Sequence, residues 1–467
     1  KKTGEYRKMS GILRTYETMG AGNQAFFILI GGGESRMRDS LFQVIDSADK
    51  FIDNTYKFIK NSNLTSFKND YIILSKGRNM EGNSMEVIKE LPEVFEEFAE
   101  QRKNSFLAVK KLKDQGIPVV GAYCTYFPKE IAMAMGAATV GLCSTSDETI
   151  TEAEKDLPKN LCPLIKSSYG FAKADKCPFF YFSDVVVGET TCDGKKKMYE
   201  YMSEFKDVFL MELPNTQSGE ALKLWKSEII RFKEYLEKKF EVTITEDDIR
   251  RAIREENKVR RSLKRFYEVM QHDPAPITGM DQFKVLYGSG FKFDRTAIPA
   301  EVDGIVEKIE REYAEGKMLN RRPRILLTGC PVGGATEKVI KAIEDNGGVV
   351  VTYENCSGAK SIDKLVDEEN PDVYDALARR YIDIGCSVMT PNPNRLKLLD
   401  RLIDEYKVDG VVEMTLQACH TYNVETLGIR RFVNEKKGIP YINVETDYSQ
   451  ADIGQLNTRI TAFLEML

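Results

Sequence analysis

No two of the nine cysteines in this 467-residue chain stand in a Cys-x-x-Cys spacing, and histidine occurs only at His272 and His420. A zinc finger or ribbon needs close Cys and His pairs, so that class of site is excluded. An odd cysteine count in so long a chain argues equally against a disulfide framework. No Gly-Lys-Ser/Thr phosphate loop is present, so the chain is not expected to hydrolyse ATP on its own. Gly31-Gly-Gly-Glu-Ser35 lacks the later glycine of a dinucleotide fingerprint. Basic residues do not prevail: 67 Lys and Arg stand against 72 Asp and Glu, a net charge of -5. A general nucleic-acid binder is therefore not expected. The longest apolar stretches, 25–30 and 131–143, fall short of the roughly 20 residues that span a membrane. No charged-then-apolar-then-small leader pattern is visible, and a cytoplasmic protein is expected.

What is there is an alternation of short apolar runs with helical periodicity. Residues 117–123, 137–142, 184–189 and 207–213 read as buried strands, and 324–329, 348–354, 409–414 and 439–445 repeat the rhythm. Strands alternating with helices predict an α/β fold of two doubly wound, Rossmann-like parallel-sheet lobes. The expected division is a mainly helical N-terminal extension (1–69), a first lobe (70–215), a helical connecting segment (216–321) and a second lobe (322–467). In the connecting segment, Thr245-Glu-Asp-Asp opens one helix with a plausible cap. The basic run 250–265 reads as a solvated helix face or, alternatively, a docking face for an acidic partner.

The cysteines fall where this alternation places ligands. Cys124, Cys192, Cys330, Cys356 and Cys419 each follow a predicted strand, Cys162 precedes a helix opening at Pro163, and Cys386 follows a helix. Ligands of open parallel sheets bind beyond the carboxyl ends of the strands. Helix N-termini also favour thiolates. Steps of 38 and 30 residues separate Cys124, Cys162 and Cys192, and steps of 30 and 33 separate Cys356, Cys386 and Cys419. Each step is about one βα unit, so three thiols per lobe are expected at a common sheet edge. Three thiolates are a natural ligand set for an iron–sulfur cubane with one open iron. Any one such cysteine can equally be a small buried hydrophobe, which is the expectation for Cys143 and Cys177. Cys330-Pro-Val-Gly333-Gly334, at a strand-to-helix turn, is a further candidate anion site.

Longer strings carry a resemblance. Gly121-Ala-Tyr-Cys124-Thr-Tyr-Phe-Pro-Lys-Glu130, Leu161-Cys162-Pro163, Gly188-Glu-Thr-Thr-Cys192-Asp-Gly-Lys-Lys-Lys197 and Glu413-Met-Thr-Leu-Gln-Ala-Cys419-His-Thr-Tyr422 resemble motifs of the 2-hydroxyacyl-CoA dehydratase and benzoyl-CoA reductase superfamily. The likeness covers about residues 70–467. Dehydratase subunits of that superfamily bind one cubane through three cysteines, matched here by Cys124, Cys162 and Cys419. Glu354-Asn-Cys356-Ser-Gly-Ala-Lys360 and Gly385-Cys386-Ser-Val-Met-Thr-Pro-Asn392 further resemble its double-cubane cluster branch. That resemblance implies an [8Fe-9S] double cubane held by Cys124, Cys162, Cys192, Cys356, Cys386 and Cys419, with Cys330 as the alternative to Cys192. It also implies a homodimer served by a separate ATP-hydrolysing [4Fe-4S] reductase, low-potential electron transfer and a small-molecule substrate. Thr190, Glu354, Glu413 and His420 are candidate groups around the ligands, with His420, Glu413 and Thr190 as catalytic candidates. Two rival readings are a radical 2-hydroxyacyl-CoA dehydratase subunit with a single [4Fe-4S] cluster and a non-enzymatic electron carrier.

Overall fold

Among the described residues, eight parallel strands form two sheets of identical order. The computed structural model describes residues 104–330 and 333–467. The expected N-terminal extension 1–69 and the start of the first lobe lie outside the described residues. In the first sheet, β1 (Val119–Ala122), β2 (Ala138–Gly141), β3 (Val185–Glu189) and β4 (Val208–Met211) run in the order β2-β1-β3-β4. In the second, β5 (Arg324–Gly329), β6 (Val349–Glu354), β7 (Gly410–Leu416) and β8 (Tyr441–Thr446) run β6-β5-β7-β8. All pairings are parallel. Both faces of such sheets are covered, so inner strands read as unbroken apolar runs. Strands β1, β3, β5 and β7 are buried throughout, while the edge strands β2, β4 and β8 are only partly so.

Side chains alternate across the first sheet with period two. Val119, Val140 and Val186 face one core, shared with Ile165 of helix Pro163–Lys173 and Met198 of helix Asp193–Met202. Val120, Val185, Val187 and Phe209 face another, shared with Trp225, Ile229 and Phe232 of helix Gly219–Phe240. Each fully buried side chain of this kind contributes roughly 1.5–3 kcal/mol.

The helical segment between the sheets is a packing layer for both lobes. Helix Glu246–Glu268 opens with a capping box in which the Thr245 hydroxyl accepts from the Asp248 amide and the Asp248 carboxylate accepts from the Thr245 amide, satisfying two otherwise free donors. It lies against helix Lys129–Ala134 of the first lobe and Ala359–Ile362 of the second. Several of its basic residues are engaged within the chain: Arg250 donates to the Asn370 and Pro371 carbonyls, Arg261 pairs with Glu368, Arg265 with Asp303, and Arg260 is buried on Glu130. Residues 373–389, placed by sequence in the second lobe, pack on the first. Val373, Leu377, Tyr381 and Met389 share the core of Trp225. Tyr126 Oη donates to the Ile384 carbonyl at 2.7 Å, fastening this crossover. Among the described residues no helix is long and apolar enough to cross a membrane.

Candidate functional site

The carboxyl ends of both sheets open on one cavity of about 450 Å³. Seven cysteines line it: Cys124 beyond β1, Cys143 beyond β2, Cys162 and Cys192 at the starts of helices 163–173 and 193–202, Cys356 beyond β6, Cys386, and Cys419 at the start of helix His420–Arg431. All nine cysteines of the chain are free thiols.

Their neighbourhoods cross the two lobes. Burial pushes the Cys124 thiol up, and the thiols that act on it are Cys356 beyond β6 and Cys386 on the segment that packs against the first core. Burial also raises Cys356, again with Cys386 beside it. A second group forms around Cys419. The neighbouring Cys162 and Cys330 thiols hold Cys419 well below the ordinary thiol range. The neighbouring Cys419 and burial raise Cys162, and burial and then Cys419 raise Cys330. Burial raises Cys192, which lies within reach of the charges of both Cys419 and Cys386. The spacing suggested one trio per lobe. In the structure Cys124 groups with Cys356 and Cys386, and Cys419 groups with Cys162. A sheet edge is shared across the cleft, and sequence spacing records only the order along one lobe. Among the described residues no three His, Cys, Asp or Glu side chains converge on one point as for a single ion. A multi-iron cluster instead asks each thiolate to meet a different iron.

The remaining cysteines are occupied otherwise. Cys143 Sγ donates to the Tyr123 carbonyl at 3.2 Å. Cys177 caps helix Pro178–Phe182, its sulfur accepting from the Phe180 amide at 3.4 Å. Cys330 is buried behind the cavity and accepts from the Leu416 amide at 3.2 Å. Gly329 before it has φ +117, and a Cβ there would stand 2.0 Å from the Met414 carbonyl oxygen.

The catalytic candidates separate. His420 is exposed and lines the cavity. Thr190 accepts from the Leu213 amide at 2.9 Å, tying β3 to the end of β4. Glu413 is wholly buried in an ion network. There Arg395, also wholly buried, lies 2.9 Å from Glu413, 3.2 Å from Glu354 and 2.5 Å from Glu425. Tyr441 Oη donates to Glu413 at 2.6 Å. Lys360 Nζ is 2.9 Å from Glu354 Oε1, close enough for an ion pair though out of line for a hydrogen bond. Lys360 also donates to Tyr422 Oη at 3.1 Å, and that hydroxyl lies 4.0 Å from Cys386 Sγ. The candidate anion turn is described at Gly333 and Gly334, where a Cβ at Gly333 would meet Thr145 of the first lobe; residues 331 and 332 lie outside the described residues.

Sequence reasoning missed the cations. Lys195 is buried and donates to the Tyr123 carbonyl at 2.8 Å. Burial opposes its charge, but Tyr199 and the thiols of Cys143, Cys124 and Cys192 outweigh that and hold it above the ordinary lysine range. Three consecutive lysines, 195–197, resemble a solvated run, and only the first faces inward. Beside it, burial pushes Glu189 up to about 8, and neither carboxylate oxygen meets a hydrogen-bond partner on another residue. Glu256 and Arg260 were detectable. Positions 249, 253, 256, 260, 263 and 267 form one helical stripe, and charged residues on that otherwise apolar stripe signal buried ions.

Two like sheets facing one thiol-lined cavity define a two-lobed α/β protein with a sulfur-rich interlobe site. The chain belongs to the 2-hydroxyglutaryl-CoA dehydratase, D-component family, whose model matches residues 124–467. It is 57% identical over 384 residues to YjiM of Escherichia coli (strain K12), provisionally named a dehydratase subunit, covering 82% of this chain and all of that one. It is 23% identical to the beta chain of (R)-phenyllactyl-CoA dehydratase from Clostridium sporogenes, over 80% of this chain and 97% of that protein. A benzoyl-CoA reductase subunit of Thauera aromatica is 22% identical, over 80% of this chain and 96% of the relative.

Proposed function

We propose that this protein is an iron–sulfur oxidoreductase that takes low-potential electrons from an ATP-hydrolysing [4Fe-4S] reductase and reduces a small molecule. The observation that carries the reading is the convergence of seven thiols from both lobes on one cavity. The donor set fits a multi-iron cluster: thiolate ligands, a buried setting, and cations beside them. Cys124, Cys356 and Cys386 hold one half of an [8Fe-9S] double cubane. Cys162, Cys192 and Cys419 hold the other, with Cys330 as the alternative to Cys192. The cluster, when bound, supplies one-electron chemistry at low potential.

The chain's own residues do the rest. Lys195 and Lys360 offset the negative charge of the thiolates. Tyr422 presents its hydroxyl beside Cys386, where a donor to sulfur raises the potential. His420, at the cavity wall, is the proton donor to a bound substrate. Glu413 acts only through Arg395, and Thr190 only by fixing the strand end before Cys192. The active form is a homodimer, the substrate is a small molecule, and the protein is cytoplasmic.

The family match favours one second reading, a radical 2-hydroxyacyl-CoA dehydratase subunit with a single [4Fe-4S] cluster. Iron and acid-labile sulfide analysis of an anaerobic preparation separates the two. About eight irons per chain is expected on three thiolates per cubane, and about four supports the dehydratase. Zinc without iron overturns both. The chain alone is expected to hydrolyse no ATP and to reduce substrate only when a reductase is added.

A further inference from the structure

The cavity has a second end that the cysteines do not explain. Lys129, Arg260, Arg295 and Arg380 line it together with Glu256. Arg295 pairs with Glu256 at 2.8 Å, Lys129 with Glu256 at 3.2 Å, and Arg260 with Glu130 at 2.6 Å. Four cations thus share two carboxylates, leaving an excess of two positive charges. Arg380 is the unmatched one. It is 5% exposed, its guanidinium lies over the Tyr381 ring at 4.6 Å, and of its donors only Nη2 makes a hydrogen bond, to the Ser361 carbonyl at 2.6 Å. Arg380 Nε and Nη1 have no hydrogen-bond partner, nor does Arg260 Nε. Buried guanidinium donors left unmade are costly, and such donors are kept where a ligand completes them.

The electrostatics mark the same corner. Burial and the neighbouring Arg260 lower Arg380 to about 10. Burial, joined by Arg295 and Arg260, lowers Lys129 despite Glu256. Burial alone would raise Glu256, yet Arg295, Lys129 and Arg260 hold its carboxyl far below the usual range. The charges acting on the thiols are different ones, chiefly Lys195 and Lys360. The cavity therefore has two electrostatic compartments.

The geometry points to the Lys129–Arg260–Arg295–Arg380 end as a binding site for the anionic group of the substrate, a carboxylate or a small oxyanion, seated beside the cysteine cluster. Arginine forks match both chemistries with paired hydrogen bonds. Size restricts the molecule. Pockets for one small ligand run from about 300 to 1,000 Å³, and this cavity of about 450 Å³ must also admit whatever the thiols hold. The room left at that end suits an anionic group of a few heavy atoms. The inference rests on the oxidoreductase reading for its substrate role, whereas anion binding itself does not require the cluster.

The test is calorimetric titration of the anaerobically prepared protein at low salt with oxalate, inorganic phosphate and neutral oxamide, with iron measured on each sample. Oxalate or phosphate is expected to bind and oxamide not to. Which of the two binds more tightly tells a carboxylate site from a tetrahedral-oxyanion site. Arg380→Gln and Lys129→Gln are each expected to weaken anion binding about tenfold, the loss of one charge-assisted contact. Lys129 is half-buried, so its variant stays informative if Arg380→Gln fails to fold. Absence of binding by either anion, equal binding of oxamide, or unchanged affinity in Lys129→Gln overturns the site. Anion binding that is lost in the variants while iron is absent from the wild type upholds the site and sinks the cluster reading instead.

Discussion

Replacing Arg395 by methionine should do more damage than any other single change in the second lobe. Its guanidinium is wholly buried and meets Glu354, Glu413 and Glu425. In Arg395→Met, Glu354 keeps Lys360 at 2.9 Å, and Glu425 is one-fifth exposed. Glu413 keeps only the neutral Tyr441 hydroxyl. Stranding one buried partner of an ion pair costs about 3–5 kcal/mol, and we expect the upper half of that range. Burial already raises Glu413, and Arg395 is the chief influence pulling it back down. Without Arg395 the folded-state carboxyl rises further above its unfolded value. A carboxylate raised in the folded state loses stability as pH climbs from its unfolded value, about 4.3, towards the folded one, by about 1.4 kcal/mol per unit. The deficit of the variant should therefore be small near pH 5 and grow towards pH 8. Fluorescence would read the other lobe, because the single tryptophan, Trp225, is buried in the first core. Amide hydrogen exchange along β5 to β7 reads the affected one. A deficit below about 1 kcal/mol at pH 7.5, or one that is flat between pH 5 and 8, would refute the ionised network.

Gly329→Ala should destabilise the second lobe, since its Cβ would stand 2.0 Å from the Met414 carbonyl oxygen at a φ of +117; a urea midpoint equal to that of the wild type would refute this. Glu189, pushed up to about 8 by burial, should make the wild type lose stability relative to Glu189→Gln between about pH 5 and 8, at roughly 1 kcal/mol per unit or less; parallel urea curves at several pH values check this. Serine at Cys124, Cys162, Cys356, Cys386 or Cys419 should lower iron content, and serine at Cys143 or Cys177 should not. Comparing Cys192→Ser with Cys330→Ser decides the sixth position, since full iron retention in one removes it from the ligand set.

The strands were legible because inner strands of covered parallel sheets carry unbroken apolar runs. Val119–Ala122 and Val349–Glu354 fall within their expected limits. The position of the cysteines beyond strand ends was legible for the same reason. Their partners were not. Cys386 rides on 373–389, which crosses to the first lobe because Leu377 and Tyr381 complete the core around Trp225. Nothing in the spacing of one lobe encodes a docking between two. The helix Pro393–Glu405 also escaped notice. Arg395, the most connected ion of the site, sits in its first turn, where a basic residue goes against the helix dipole.

The crossed sulfur groups have a mechanical consequence. A group held by Cys124 and Cys386 on the first core and by Cys356 beyond β6 is a cross-link between distant stretches of one chain. Closing so long a loop removes much freedom from the open chain, and a ligand that binds only the closed arrangement stabilises it by mass action. Opening of the cleft and occupancy of the sulfur site are then one equilibrium. Losing the occupant should loosen the seam between the lobes before it unravels either sheet. Whatever fills the cavity thus also sets how far the two halves can part to admit a substrate.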